Sequence, residues 1–138
     1  MTEMPQATQM SPHANGDSAE YWKAIAGKRL IFQKCSCCGA VQFPPRHHCA
    51  RCWEAGPGWI EATGRGVIES YTIVRRAPLP QFRDKVPYVV ASVITEEGPR
   101  MLAGLTGENA LGVAVGDAVR VVFGTGADGS PLPEFELA

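Results

Sequence analysis

The chain has 138 residues, of which 45% are hydrophobic and 20% are charged, with a net charge of −1 and a pI near 6.3. This length fits one domain with an ordinary core, and no run approaches the roughly 20 uncharged apolar residues of a membrane span. The first residues lack the basic and apolar regions of a signal peptide, so we expect a cytoplasmic protein. In that reducing compartment, the five cysteines are more typical of a metal site or redox chemistry than of disulfides.

Charge is distributed unevenly along the chain. Residues 21–53 carry six basic side chains and no acidic one, whereas residues 96–138 carry two arginines and seven acids. A basic segment suits an anionic ligand or partner, although a solvated basic face is the commoner explanation.

The N-terminal part is predicted to contain an arm and a short helix. Residues 1–16 offer few large apolar side chains to a core, so we expect a disordered arm. Residues 17–29 form the predicted helical segment, with a helix over 17–26 that begins at a capping box of Asp17 and Glu20. Three large apolar side chains share one face of this helix and need a packing partner in this chain or another: Tyr21, Trp22 and Ile25.

Residues 30–59 contain the strongest signal, two Cys-x-x-Cys knuckles separated by ten residues. A hairpin between the knuckles would bring four thiolates around one ion, as in a structural zinc site. Four protein ligands leave no open position for a substrate, so this zinc would stabilise the fold and would not catalyse. A rubredoxin-like iron site and redox-active or metal-free thiols are the alternatives. The predicted ligands are Cys35, Cys38, Cys49 and Cys52.

Other polar residues near the knuckles are not expected to bind the metal. Cys37 does not match the spacing of the second knuckle and is predicted to be a spare thiol. His47 and His48 lie outside the knuckle geometry, so a solvated or indirect role is expected for both. Gly39 suits the tight turn that points backbone N–H groups at the thiolates.

Residues 60–138 read as a small all-β barrel or sandwich, because short apolar runs alternate with turn residues. A long loop with three prolines is expected over residues 77–87, and one helical turn over residues 108–111. The predicted strands cover Val67 to Val74, Tyr88 to Thr95, Met101 to Leu105, Val119 to Phe123, and Leu132 to Leu137.

The order of these motifs resembles a known family, the zinc-ribbon and OB-fold proteins of acyl-CoA metabolism, long catalogued as a domain of unknown function. The resemblance runs from about residue 20 to the C-terminus and begins with a Trp-bearing helix. It continues through Leu30-x-x-Gln33-x-Cys35-x-x-Cys38-Gly39, Pro44-Pro45-Arg46-x-x-Cys49-x-x-Cys52, Gly64-x-Gly66 and Pro87-Tyr88.

The resemblance implies a mainly β fold with an N-terminal helix, a rubredoxin-like zinc ribbon and a C-terminal five-stranded OB-fold barrel. It also implies a non-catalytic accessory subunit of thiolase-like, hydroxymethylglutaryl-CoA synthase-like, hydratase or aldolase enzymes, one that helps to hold or pass acyl-CoA. Arginine forks suit the phosphates of CoA, so Arg75, Arg76 and Arg83 are candidate ligand contacts, with plain solvated charges as the alternative.

Catalysis has little support in the sequence, which offers no Ser, His and acid set, no phosphate loop and no His-Glu metal motif. Two other functions compete with the accessory role. A nucleic-acid-binding module would use a basic groove with stacking aromatics, but Tyr71, Tyr88 and Phe123 accompany an acidic C-terminal third. Electron transfer would need iron at the four-cysteine site.

Overall fold

The computed structural model describes residues 16–126 and 129–138. The predicted disordered arm, residues 1–16, lies outside the described residues except for Gly16. Helix α1 covers Ala19–Ala26, and Ser18 occupies its N-cap position. The helix therefore begins one residue later than the predicted capping box of Asp17 and Glu20 would place it. No helix among the described residues combines the length and the apolar character that crossing a bilayer requires.

A small antiparallel sheet follows the helix and forms the ribbon. Strands β1 (Ile31–Lys34), β2 (Val41–Gln42) and β3 (Gly58–Glu61) are arranged in the order β2-β1-β3. The central strand β1 is buried at its first three positions. The chain between β2 and β3 carries the second pair of cysteines, so this sheet anchors both knuckles.

Five further strands close into a barrel in the order β4-β5-β6-β8-β7. All neighbours pair antiparallel except β6 and β8, which are parallel. A closed five-stranded barrel with this order is the OB-fold, so the predicted fold class is confirmed. The barrel strands are β4 (Arg65–Val74), β5 (Tyr88–Thr95), β6 (Arg100–Thr106), β7 (Ala118–Thr125) and β8 (Pro131–Leu137).

Two segments between the strands differ in detail from the sequence prediction. The expected proline-rich loop contains a 3-10 helix over Pro80–Lys85, which proline can start because its N–H is not needed there. The expected helical turn is a 3-10 turn over Ala110–Gly112. The 3-10 helix over Pro80–Lys85 lies between β4 and β5 at one end of the barrel. This end is the open end of the barrel.

One continuous core joins the helix, the ribbon and the barrel. The rings of Tyr21 and Phe43 lie 5.3 Å apart, and those of Phe32 and Phe43 lie 5.9 Å apart. Helix α1 also packs against β8, so the apolar face of the helix finds its partner within this chain. The buried residues of this cluster include Ile25, Leu30, Ile68, Val89, Val93, Met101, Val119 and Phe135.

Gly66 lies in β4 opposite Thr95 of β5, at a position that leaves no space for a side chain. A Cβ atom there would come within 2.6 Å of both the Ile94 carbonyl oxygen and Val93 Cγ1. Gly66→Ala is therefore expected to lower the free energy of unfolding by about 1–3 kcal/mol, because backbone atoms must shift to admit the methyl group. Urea unfolding followed by circular dichroism measures the change. Gly104→Ala is the matched control, since its nearest neighbour would lie 3.5 Å away on the flexible Glu134 side chain.

Candidate metal centre

Four cysteine side chains converge at the end of the ribbon. Their Sγ atoms all lie within 4.8 Å of one another, with 3.5 Å between Cys35 and Cys52 and 3.6 Å between Cys38 and Cys49. A tetrahedral zinc ion with Zn–S bonds of about 2.3 Å requires sulfurs about 3.8 Å apart. The group is thus close to the size that one ion needs, and it could hold a metal.

Each knuckle directs two backbone N–H groups at its first sulfur. The N–H groups of Cys37 and Cys38 lie 3.4 and 3.5 Å from Cys35 Sγ, and those of Arg51 and Cys52 lie at the same two distances from Cys49 Sγ. The backbone N–H groups of Cys52 and Arg51 lower the pKa of the Cys49 thiol to about 6. The N–H group of Cys38 is the main cause of the lowered pKa of Cys35. Both thiols are thereby prepared for the thiolate form that binds metal.

The residue after each knuckle adopts a left-handed backbone conformation. Gly39 has φ 75° and Trp53 has φ 69°, and their N–H groups donate to the carbonyl oxygens of Cys35 and Cys49 at 3.0 and 2.9 Å. Glycine takes this conformation freely, whereas a side chain such as that of Trp53 costs about 1–2 kcal/mol. The Trp53 side chain is also 77% exposed, so burial does not offset this cost.

The remaining polar residues of the segment lie beside the centre. Cys37 is exposed and is not a member of the four-sulfur group. His47 and His48 are exposed, and their rings lie 4.7 Å apart. The backbone carbonyl of His47 accepts a hydrogen bond from the N–H of Gly56 at 3.0 Å. The two histidines therefore help to fold the second hairpin through their backbone.

A pair of glutamines links the two knuckles, and sequence reasoning did not assign them this role. The side chain of buried Gln33 donates to the Arg46 carbonyl and accepts from the Arg46 N–H, both at 2.8 Å. Gln42 donates to Gln33 Oε1 at 2.7 Å and accepts from the Ala50 N–H at 2.7 Å. These bonds fix the loop before Cys49 to the strand before Cys35.

Gln33→Leu is expected to lower the free energy of unfolding by about 1–3 kcal/mol, because the backbone of Arg46 loses both partners. It should also weaken zinc binding by about ten- to a hundredfold, as losses in the surroundings of metal ligands do. Competition with a chromogenic chelator measures the affinity. Lys34→Leu places the same side chain on the exposed neighbouring position and serves as the control. Equal zinc affinities in the two variants would contradict the linking role of Gln33.

The three candidate arginines lie near the open end of the barrel. Arg75 and Arg76 directly follow β4, and Arg83 lies in the 3-10 helix that leads to β5. All three side chains are exposed. All three thus belong to the segment between β4 and β5, and their contact with a CoA phosphate remains a prediction.

Comparison with known proteins assigns the chain to a family. Residues 22–57 match the family described as ChsH2, rubredoxin-like zinc ribbon domain, and residues 59–124 match ChsH2, C-terminal OB-fold domain. Together these matches cover most of the chain. The chain therefore belongs to the ChsH2 zinc-ribbon and OB-fold family, also called DUF35.

Individual relatives carry two kinds of name. The chain is 34% identical to a DUF35 domain-containing scaffold protein of Methanothermobacter thermautotrophicus, and the match covers 78% of this chain and 81% of that protein. It is also 34% identical to a probable enoyl-CoA hydratase alpha subunit of Thermomonospora curvata over 76% of this chain. The match spans only 32% of the length of that second relative.

Two solved structures share the fold. A chain of a structure described as Ltp2-ChsH2(DUF35) aldolase superimposes with a TM-score of 0.82 at 31% identity, over 92% of this chain and 98% of that chain. A DUF35 protein of unknown function from Sulfolobus solfataricus superimposes with a TM-score of 0.65 over 91% of this chain and 87% of that chain. The second pair is only 18% identical, so that likeness concerns the fold alone.

Proposed function

We propose that this protein is a non-catalytic accessory subunit that binds a hydratase, aldolase or thiolase-like enzyme and helps to hold or pass acyl-CoA. The observation that carries this proposal is the match over 98% of a chain in the structure described as Ltp2-ChsH2(DUF35) aldolase. The scaffold name of the Methanothermobacter thermautotrophicus relative supports the accessory role. The hydratase name of the Thermomonospora curvata relative supports the class of partner.

The four cysteines are proposed to hold one structural zinc ion. Thiolates are soft ligands that suit zinc, and four of them with one divalent ion leave a charge of −2 at the site. The N–H groups directed at Cys35 and Cys49 would stabilise that charge. Metal analysis of the purified protein should give one zinc per chain and a colourless solution. A coloured, iron-containing protein would instead support electron transfer.

Trp53 is the most exposed of the large apolar side chains that the structure describes, and it is the candidate contact for the partner enzyme. Trp53, Leu102 and Val115 are 77%, 75% and 66% exposed. Tryptophan is enriched among the residues that dominate binding energy at protein interfaces. Because Trp53 also occupies a costly backbone conformation, we propose that partner binding, and not stability, is the reason for this side chain.

The partner proposal is tested by purifying the tagged full chain from its native cells and identifying stoichiometric companions by mass spectrometry. We expect a hydratase, aldolase or thiolase-like subunit, and its absence would overturn the accessory role. Trp53→Gly should reduce co-purification at least about tenfold while the melting temperature holds or rises. Lys28→Gly is the matched control, because Lys28 is also exposed and left-handed, with φ 60°.

Binding of acyl-CoA is tested separately by calorimetry with CoA on the zinc-loaded chain and on its complex with the partner. We replace Arg75, Arg76 and Arg83 together by glutamine. CoA should then bind at least about tenfold more weakly, because three phosphate contacts are lost. Arg51→Gln in the ribbon is the control for loss of positive charge. Equal CoA affinity of the triple variant and the native chain would exclude these arginines as phosphate contacts.

A further inference from the structure

A cavity of about 400 Å³ opens at the open end of the barrel, between the 3-10 helix and the ends of four strands. Its size lies within the range of small-molecule sites. Its lining is mostly apolar, and its polar members include Gln81, Lys85 and Glu134. The apolar walls include Phe82, Tyr88, Val89, Leu105 and Leu132.

Gln81 is a polar member of this wall whose side-chain amide lacks partners. Neither Gln81 Nε2 nor Oε1 forms a hydrogen bond with any described residue, and both atoms are shielded from solvent. A buried amide group without hydrogen bonds costs about 1–3 kcal/mol of folding free energy. A ligand that supplies the missing hydrogen bonds therefore binds more tightly than one that does not. An amide edge is best matched by a group with a donor and an acceptor side by side.

Glu134 and Lys85 supply the charges of the cavity. The carboxylate of Glu134 lies against Gly124, where a Cβ atom would collide with Oε1, and near Gly104. Burial raises the pKa of Glu134, and the nearby ammonium of Lys85 opposes that rise. The Lys85 Nζ atom lies 5.4 Å from the centre of the Phe82 ring. Since one acid and one base already offset each other, the cavity favours an uncharged ligand over an ion.

We propose that this cavity is a binding site for an uncharged, largely apolar small molecule that ends in a primary amide or another group with adjacent donor and acceptor. The alkyl part lies against Phe82, Leu105 and Leu132, and the polar end pairs with the amide of Gln81. The site is separate from the four-cysteine centre, and it does not depend on the proposed accessory role.

The test compares two nearly isosteric probes on the zinc-loaded full chain by NMR titration of backbone amides. Hexanamide carries the donor and acceptor together, whereas heptan-2-one has a methyl group in place of the NH₂ group. Hexanamide should give saturable shifts around Gln81, Thr106 and Gly126, with an affinity at least about fivefold higher than that of heptan-2-one. Equal affinities, or no saturable shifts up to the solubility limit, would overturn the proposal.

Variants locate the interaction. Gln81→Leu should make the two probes bind equally, while Asp84→Asn, an exposed change in the same 3-10 helix, should leave the preference for hexanamide intact. Gly104→Val should narrow the cavity beside Glu134 and weaken the binding of both probes, since a Cβ atom at this position meets only ordinary contacts, at 3.5 and 3.9 Å. Retention of the hexanamide preference in Gln81→Leu, or native affinity for both probes in a folded Gly104→Val protein, would contradict the assignment.

Discussion

Cys49→Ser is expected to abolish high-affinity zinc binding and to unfold the ribbon. Cys49 is 2% exposed, its sulfur accepts two backbone hydrogen bonds, and it lies 3.6 Å from Cys38 Sγ. Structural zinc sites of small domains contribute about 10–16 kcal/mol of apparent binding free energy, which is the scale of a whole domain's stability. Removal of zinc from the native chain by a strong chelator should give the same result. Thermal unfolding and zinc content measure both effects.

Cys37→Ser provides the control for Cys49→Ser. Cys37 is exposed and lies outside the four-sulfur group, so its variant should keep one zinc and the native melting temperature. Because the ribbon shares its core with the barrel, the loss of zinc should also broaden or lower the unfolding transition of the barrel. A Cys49→Ser protein that melts like the native chain would contradict a structural metal.

Phe135→Ala is expected to have the second largest effect, a loss of about 3–5 kcal/mol in the free energy of unfolding. The Phe135 side chain is completely buried in β8, the strand that pairs with both β6 and β7 to close the barrel. Truncation of the Phe135 side chain therefore leaves a cavity inside the barrel, where β8 pairs with β6 and β7. A loss of this size is a large part of the total stability of a small domain, so the variant should unfold at much lower urea concentration.

Leu102→Ala is the control for Phe135→Ala, because it removes an apolar side chain that is 75% exposed on a neighbouring strand. Its unfolding free energy should stay within about 0.5 kcal/mol of the native value. Similar losses in the two variants would show that the barrel interior does not depend on Phe135.

The strands were predictable because their apolar pattern is local. The sequence predicts a strand over Tyr88 to Thr95 with the bounds that the structure has, because these residues form a mostly apolar run bounded by turn residues. The order of the strands in the closed barrel is not a local property of the sequence. It depends on the pairing of β4 with β7 and of β6 with β8, and no short window of sequence contains those contacts. The apolar pattern therefore predicts only a small barrel or sandwich, whereas the resemblance to a known family implies the OB-fold.

The candidate site was predictable to the extent that its chemistry has a fixed spacing. The two Cys-x-x-Cys pairs predict four neighbouring sulfur atoms, and the structure brings these four together. Glutamine has no such spacing, so the sequence did not reveal that Gln33 and Gln42 join the knuckles. Gln81 and Glu134 are far apart in the chain, and only barrel closure brings them to one cavity.

The packing of α1 against β8 sets an order of events during synthesis. The helix is synthesised before the ribbon, but its buried face, with Tyr21 and Ile25, packs against β8, which is synthesised after every other barrel strand. The cysteine knuckles are complete by residue 52 and need no barrel strand for their ligands. The ribbon therefore has all four cysteines in place before any barrel strand is made, whereas closure of the barrel and the packing of α1 on its barrel side require β8.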